Sequence, residues 1–333
     1  MRSSSARKIP WLVATAVALT LAPTPVANAG PADQGGETAR ATTRYRLLDL
    51  GTLGGDSSFA TAMNDRGAVV GRAQTADGTY HGFLWRRGIM HDLGALSPTD
   101  INNRGQVIGT RDDVGGAYLW SRDTLVALPG GLRYPTAIND HGEVVGMKNV
   151  DSGSDVPVLL TGGEVRRLPL DSVSDINNRG EVSGGRATGN GFHASVWRRG
   201  KVTDLGAAAF NRSNTYRLND AGSVIGWTFS PQQDERGTLW RHSARTDLGT
   251  LGGNVTHAIA INKRGVVLAT SQISDGSVHP ALWRRGGLTD LTAAGVDADA
   301  DLADYNDKGE IAASIRPVFG IAHAVLYRPA HRS

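Results

Sequence analysis

The chain has no cysteine among its 333 residues, so no disulfide and no thiolate-bound metal can hold it together. Core packing and backbone pairing must do that work. Aromatic residues make up only 6%. Lys and Arg, 35 in all, nearly balance the 32 Asp and Glu, which excludes the overall basic excess typical of nucleic-acid binding. No apolar run approaches the roughly 20 residues that a membrane helix needs, and no window sustains a helical period. Gly-x-Gly-x-x-Gly, a phosphate loop, His-Glu-x-x-His and a nucleophile elbow are all missing. The sequence therefore assigns no catalytic residue by motif.

The chain does carry an export pattern. Arg2, Arg7 and Lys8 form a basic start, Trp11 to Ala22 an apolar run and Ala27-Asn28-Ala29 a small-residue cleavage site, so residues 1–29 read as a signal peptide. Removing them takes three cations and no acid from a formal charge of +3, and 3 − 3 leaves zero. Residues 30–44, rich in Gly, Thr and Ala, read as a flexible leader, 45–328 as the folded domain and 329–333 as a tail. With no cysteine at the cleavage site and no apolar tail, the expectation is a secreted extracellular protein without a membrane anchor.

The 43 glycines point to many turns. An Asn-x-x-Gly segment followed by a short β-branched strand recurs at Asn64, Asn102, Asn139, Asn177, Asn219, Asn262 and Asn306, seven copies spaced 37 to 44 residues. In the first copy the pieces are Ala62-Met63-Asn64, Ala68 to Gly71, Gly82 to Trp85 and Met90 to Gly94. Short apolar runs rich in Val, Ile and Leu, separated by Gly, Asn, Asp or Arg-Gly turns, read as strands. Asn and Gly both tolerate the positive φ of tight hairpins, and Trp85-Arg86-Arg87-Gly88, Trp197 to Gly200 and Trp283 to Gly286 supply a second turn. Each copy is thus a four-stranded antiparallel meander.

A period near 40 with four strands per unit fits a propeller. The folded domain starts on a lone Asp-Leu strand, Tyr45 to Leu50, and ends on an aromatic strand, His323 to Tyr327, which lacks that piece. The fold expected is an all-β, seven-bladed β-propeller of four-stranded antiparallel blades, closed by the N-terminal strand joining the last blade. Closure would pair edges that otherwise invite aggregation. Trp85, Trp120, Trp197, Trp240 and Trp283, with Leu160 and Tyr327 at the same place, are expected to pack between blades.

Leu50-Gly51-Thr52-Leu53-Gly54-Gly55 and Leu248 to Gly253, with Ala60 to Gly71 and Ala258 to Gly265, resemble the HAF-repeat family of extracellular repeat proteins over nearly all of 45–328. The strand starts His81-Gly82-Phe83, His193-Ala194-Ser195, His279-Pro280-Ala281 and His323-Ala324-Val325 keep the family's histidine and vary after it, and copies two, three and five lack it. The resemblance implies a secreted repeat fold and brings no catalytic residue.

Candidate chemistry sits near the expected axis. Two positions before each turn Asn stand Ala62, Ala137 and Ala260 in three copies, and Asp100, Asp175, Arg217 and Asp304 in the others. With Tyr216 and His257 close by, these could bind a ligand, or the aspartates could accept backbone hydrogen bonds from neighbouring blades. Asp297, Asp299 and Asp301, with Asp304 and Asp307, crowd carboxylates at a density that suits Ca²⁺, but the EF-hand positions for Gly and Glu hold Leu302 and Lys308. No other cofactor is expected. The four strand-opening histidines read as bonding a neighbouring loop. Gly206 to Asn214, Thr228 to Arg236 and Ala293 to Asp301 are the long loops, and a ligand is expected on their face. The leading expectation is a non-catalytic binding module for an extracellular carbohydrate or protein. The alternative is a secreted lyase, hydrolase or cyclase using the axial Asp and Arg side chains.

Overall fold

Two kinds of turn build the fold. In Asn64-Asp65-Arg66-Gly67 the Gly67 N–H donates to the Asn64 carbonyl at 3.0 Å, and the Asn64 N–H donates to the Ala68 carbonyl at 3.0 Å. Gly67 takes φ +81°. This is a type I turn closed by a left-handed glycine. The positive φ falls on the glycine and on none of the seven turn asparagines, so asparagine is not there for its backbone tolerance, contrary to the sequence expectation. The second turn, Arg87 (φ +52°) and Gly88 (φ +85°) between paired Arg86 and Ile89, has positive φ at both central residues, the geometry that matches strand twist.

The computed structural model describes residues 43–111, 113–150, 154–189, 191–206, 209–318 and 321–330. The expected signal (1–29), residues 30–42 of the expected leader and 331–333 of the tail lie outside the described residues. The architecture is an all-β propeller of four-stranded antiparallel blades. The first repeat forms one sheet from Gly54–Met63, Val69–Thr75, Tyr80–Arg86 and Ile89–Asp92. Five sheets have this four-stranded form, and a sixth has eight strands. That wide sheet is the fourth and fifth repeats, joined where Gly191–Arg198 meets Ala209–Leu218 through the parallel pair Phe192 and Arg212. Where seven separate sheets were expected, two units therefore share one. The last repeat takes its fourth strand from the N-terminus: Tyr45–Asp49 pairs antiparallel with Ile321–Pro329, Leu47 opposite Tyr327 and Asp49 opposite Val325.

The core is divided into slabs between repeats. Trp85 packs with Leu48, Leu50 and Leu326, Trp120 with Leu84 and Leu93, Trp197 with Leu159 and Leu168, and Trp283 with Leu239 and Leu248. Leu160 and Tyr327 occupy the same station against Ile108 and Leu268. All are buried, Tyr327 at 0% exposure. Truncating such a side chain to alanine costs about 3–5 kcal/mol. The expectation that the repeated aromatics are core holds.

Two loop expectations need correction. Residues 209–214 are not loop, because the inner strand of the fifth repeat runs Ala209–Leu218, as long as Gly54–Met63 and Gly252–Ile261. Ala293 to Asp301 begins inside a short 3-10 turn, Thr292–Ala294. Among the described residues no helix is long and apolar enough to cross a membrane.

Candidate functional site

Every inner strand carries a β-bulge at the same place, just before the turn. The register shifts between Ala60 and Ala62, Pro98 and Asp100, Pro135 and Ala137, Val173 and Asp175, Thr215 and Arg217, Ala258 and Ala260, and Leu302 and Asp304. A bulge re-aims the side chain that follows it, and here it turns this position inward. One cavity of about 190 Å³ is lined by residues from all seven Asn turns together with Asp100, Asp175, Arg217 and Asp304.

The turn asparagines form a chain of donors around this cavity. Nδ2 of Asn64 donates to the Asn102 carbonyl (3.0 Å), Asn102 to Asn139 (2.9 Å), Asn139 to Asn177 (3.1 Å), Asn177 to Asn219 (3.0 Å), Asn219 to Asn262 (2.9 Å) and Asn306 to Asn64 (3.3 Å). Meanwhile Oδ1 accepts from its own turn, as at Arg66 and Ala68. One amide thus holds its hairpin and the next one, which explains asparagine at every copy. Among the described residues Asn262 alone breaks the series: its buried Nδ2 has no partner there. The next residue forms a second series. The Asp65 N–H donates to Asn103 Oδ1, Asn103 to Asp140, Asp140 to Asn178, Asn178 to Asp220, Lys263 to Asp307 and Asp307 to Asp65. Lys263 carries no acceptor, so this series stops between Asp220 and Lys263.

The axial aspartates are occupied by backbone. Asp100 accepts from the N–H of Ile101 (2.8 Å) and, across the repeat boundary, Ile138 (2.9 Å). Asp175 accepts from Ile176 and Leu218, both at 2.8 Å, and Asp304 from Tyr305 (2.8 Å) and Met63 (2.9 Å). Each carboxylate therefore staples two repeats, and the ligand role considered for Asp100, Asp175 and Asp304 gives way to the structural one. Burial pushes Asp100 up and lifts Asp175 to about 7, with the Arg217 charge pulling both down while Asp304 raises Asp100 and Asp100 raises Asp175. Arg217 makes no hydrogen bond or ion pair within 4 Å among the described residues. Burial opposes its charge, but Asp175, Asp304 and Asp100 outweigh that and hold its pKa above the ordinary value.

Arg217 also borders a second cavity, of about 460 Å³, on the long-loop side. Tyr216, His257, Ile259, Thr270 and Asp301 line it with Arg217. The Tyr216 hydroxyl lies 3.4 Å from Glu235 Oε1, and His257 Nδ1 lies 3.7 Å from the same oxygen. Burial and then Glu235 raise the Tyr216 phenol to about 12. The structure thus places Tyr216 and His257 at this second cavity, apart from the axial aspartates and joined to them only through Arg217, and adds Glu235, which no sequence pattern singled out.

The remaining candidates separate. Asp297 Oδ2 accepts from the Tyr327 hydroxyl at 2.6 Å, and no group of three His, Cys, Asp or Glu among the described residues could hold a metal ion. Asp297, Asp299 and Asp301 are thus not gathered as a Ca²⁺ site. The histidines bond the end of the outer strand of their own sheet, His81 to Asp92 and His193 to Asp204 at 2.9 Å, His279 to Asp290 and His323 to Asp49 at 2.7 Å. His323 alone among them also reaches the neighbouring repeat, its Nε2 lying 3.0 Å from the Asp56 carbonyl.

No family model and no curated protein sequence matches the chain. Solved structures do. A structure of YCF48 bound to D1 peptide aligns with a TM-score of 0.51 at 11% identity, covering 87% of this chain and 96% of that one. This likeness supports the β-propeller fold and nothing more. TolB from Acinetobacter baumannii (TM-score 0.43, 11% identity, 70% of this chain) and the gluconolactonase XC5397 from Xanthomonas campestris (0.43, 10%, 88% of this chain and 93% of that one) are more distant. The chain spans 66% of the TolB length.

Proposed function

We propose that this chain is a secreted, non-catalytic repeat protein of HAF type, a closed seven-bladed ring that binds an extracellular ligand on its long-loop face. Ring closure is supported by the pairing of Tyr45–Asp49 with Ile321–Pro329, by the Met63 N–H on Asp304 and by the single cavity shared by seven turns. Secretion rests on the pattern in residues 1–29.

The observation that carries the binding reading is the cleft of Tyr216, Arg217, Glu235 and His257. An exposed aromatic ring beside a carboxylate and an imidazole, with Arg217 at the cleft's inner edge, offers a stacking face with both donors and acceptors. A carbohydrate needs that mixture, because each hydroxyl donates and accepts. The enzyme alternative has less support, because both oxygens of Asp100, Asp175 and Asp304 already accept backbone N–H groups. A glycan array with the secreted protein, repeated with Tyr216→Ala and His257→Ala, tests the reading. Binding that both substitutions abolish at unchanged Tm supports it. No glycan bound, or binding indifferent to both, removes it.

A further inference from the structure

The two faces of the propeller differ in charge. Because each repeat is an antiparallel meander, the Asn turns and the Arg turns emerge on one face. The connections between third and fourth strands at 86–88, 121–124, 161–164, 198–201, 241–244 and 284–287 hold nine Arg or Lys against two carboxylates, Asp123 and Glu164. Arg87, Arg122, Arg199 and Arg285 stand at the exposed tips, each in the left-handed region that fixes it outward at the end of a two-residue turn. Arg66, Arg104 and Lys308 add exposed cations from the Asn turns. The carboxylates on this face are Asp65, Asp140, Asp220 and Asp307 around the central mouth, each accepting a backbone N–H, and Glu143, Glu181 and Glu310 just after three of the Asn turns. Of these, Glu181 pairs with Arg198 and Arg179 and Glu310 with Arg328. On the opposite face the fourth strands end in Asp49, Asp92, Asp204, Asp247 and Asp290.

We infer that the Arg-turn face is a docking surface for an acidic polysaccharide. Near-neutral net charge conceals a ring of cationic tips. Arg198 is paired with Glu181 and Arg241 is held on the Gly265 carbonyl and the Trp283 ring, but Arg87, Arg122, Arg199 and Arg285 stand exposed at the turn ends and there attract a polyanion. Tips repeating once per repeat, with gaps between, suit carboxylates spaced along an extended sugar chain. A lipid surface fits less well: most exposed large hydrophobics lie towards the other face, at Tyr80, Val114, Tyr134, Tyr216, Val278 and Ile321, Leu47 and Val126 lie on outer strands, and Ile89 directly follows an Arg turn. Nucleic acid fits less well too, because no Phe, Trp or Tyr occurs in these turns to stack a base. The surface is independent of the Tyr216 cleft and would leave that cleft facing away from the polymer.

The test is binding of the secreted protein to immobilised polygalacturonate, with neutral dextran, duplex DNA and phosphatidylglycerol vesicles in parallel, at about 0.05 M and about 0.5 M salt. Retention on polygalacturonate alone, lost at the higher salt, is expected. The triple variant Arg87→Asn, Arg199→Asn, Arg285→Asn keeps a residue that accepts positive φ and should weaken binding at least about tenfold with Tm unchanged. Tyr216→Ala should leave this binding as it was, which separates it from the glycan reading. No retention at low salt, equal binding by the triple variant, or tighter binding to DNA or vesicles would overturn the inference.

Discussion

His323 and Asp49 stand at opposite ends of the folded chain, yet Nδ1 of one lies 2.7 Å from Oδ2 of the other. The contact repeats what His81 makes with Asp92 inside a single repeat. In the fifth repeat Arg236 replaces the histidine against Asp247 at 3.2 Å. In the second and third, where Ala127 and Arg167 stand opposite Tyr118 and Val158, the acid is gone and so is its cation. Each such aspartate also accepts the N–H two residues on, as Asp49 does from Gly51. The histidine therefore orients the carboxylate that starts the loop to the next inner strand.

This pairing makes the N-terminal strand a structural part of the last sheet. Deleting residues 1–50 strips five paired residues and exposes Leu326 and Trp85, whereas deleting 1–42 touches none of them. With each backbone bond contributing about 1 kcal/mol, the longer deletion should cost several kcal/mol and yield aggregating protein. Thermal unfolding of the two truncations compares them, and equal Tm values would refute ring closure.

Asp175 gives stability a pH dependence. Its folded pKa, about 7, lies above the ordinary 3.8, so folding takes up a proton between those values. The stability it contributes is complete below about pH 4 and is lost as the pH rises through about 7, with a slope of at most about 1.4 kcal/mol per pH unit. Urea unfolding of the Asp175→Asn variant from pH 4 to pH 8 should show a flatter profile than the parent. Parallel profiles would assign the ionisation elsewhere.

The asparagine series predicts unequal effects of one chemical change. Asn102→Asp removes donors to the Asn139 carbonyl and to Gln106 Oε1 and sets a charge against a buried carbonyl, at a cost of about 2 kcal/mol or more. Asn262→Asp removes an Nδ2 that has no partner and should cost clearly less. Denaturant midpoints measured at one pH give the comparison, and equal losses would contradict the broken series.

Metal removal should be silent. Asp297 already accepts the Tyr327 hydroxyl, so a chelator added in calcium-containing buffer should leave Tm unchanged, while Tyr327→Phe should lower stability by about 1–3 kcal/mol by stranding that contact. A chelator-induced drop in Tm would restore the metal reading of Asp297, Asp299 and Asp301.

Much of the architecture was legible along the chain because it is written in local signals. Asn64 with Gly67, Arg87 with Gly88 and the Val69-Val70 strand each announce turn or strand within a few residues, and repetition lets seven weak signals support one another. The site was legible only in part. Tyr216, Arg217 and His257 stood out by type and place, but Glu235 reaches them from a strand 18 residues beyond Arg217, and spacing says nothing of such a contact. The axial aspartates were open to two readings, since a carboxylate looks the same in sequence whether its oxygens face a ligand or two peptide N–H groups.

The residues alone determined the meander and its period, because turn chemistry and strand alternation act over distances shorter than one repeat. Tertiary structure decided what each repeated polar group is for. Asn102 bonding Asn139, Asp175 bonding Leu218 and His323 bonding Asp49 all depend on where one repeat sits against another, and that placement is set by side chains such as Trp85 packing between sheets, not by any local preference of the chain.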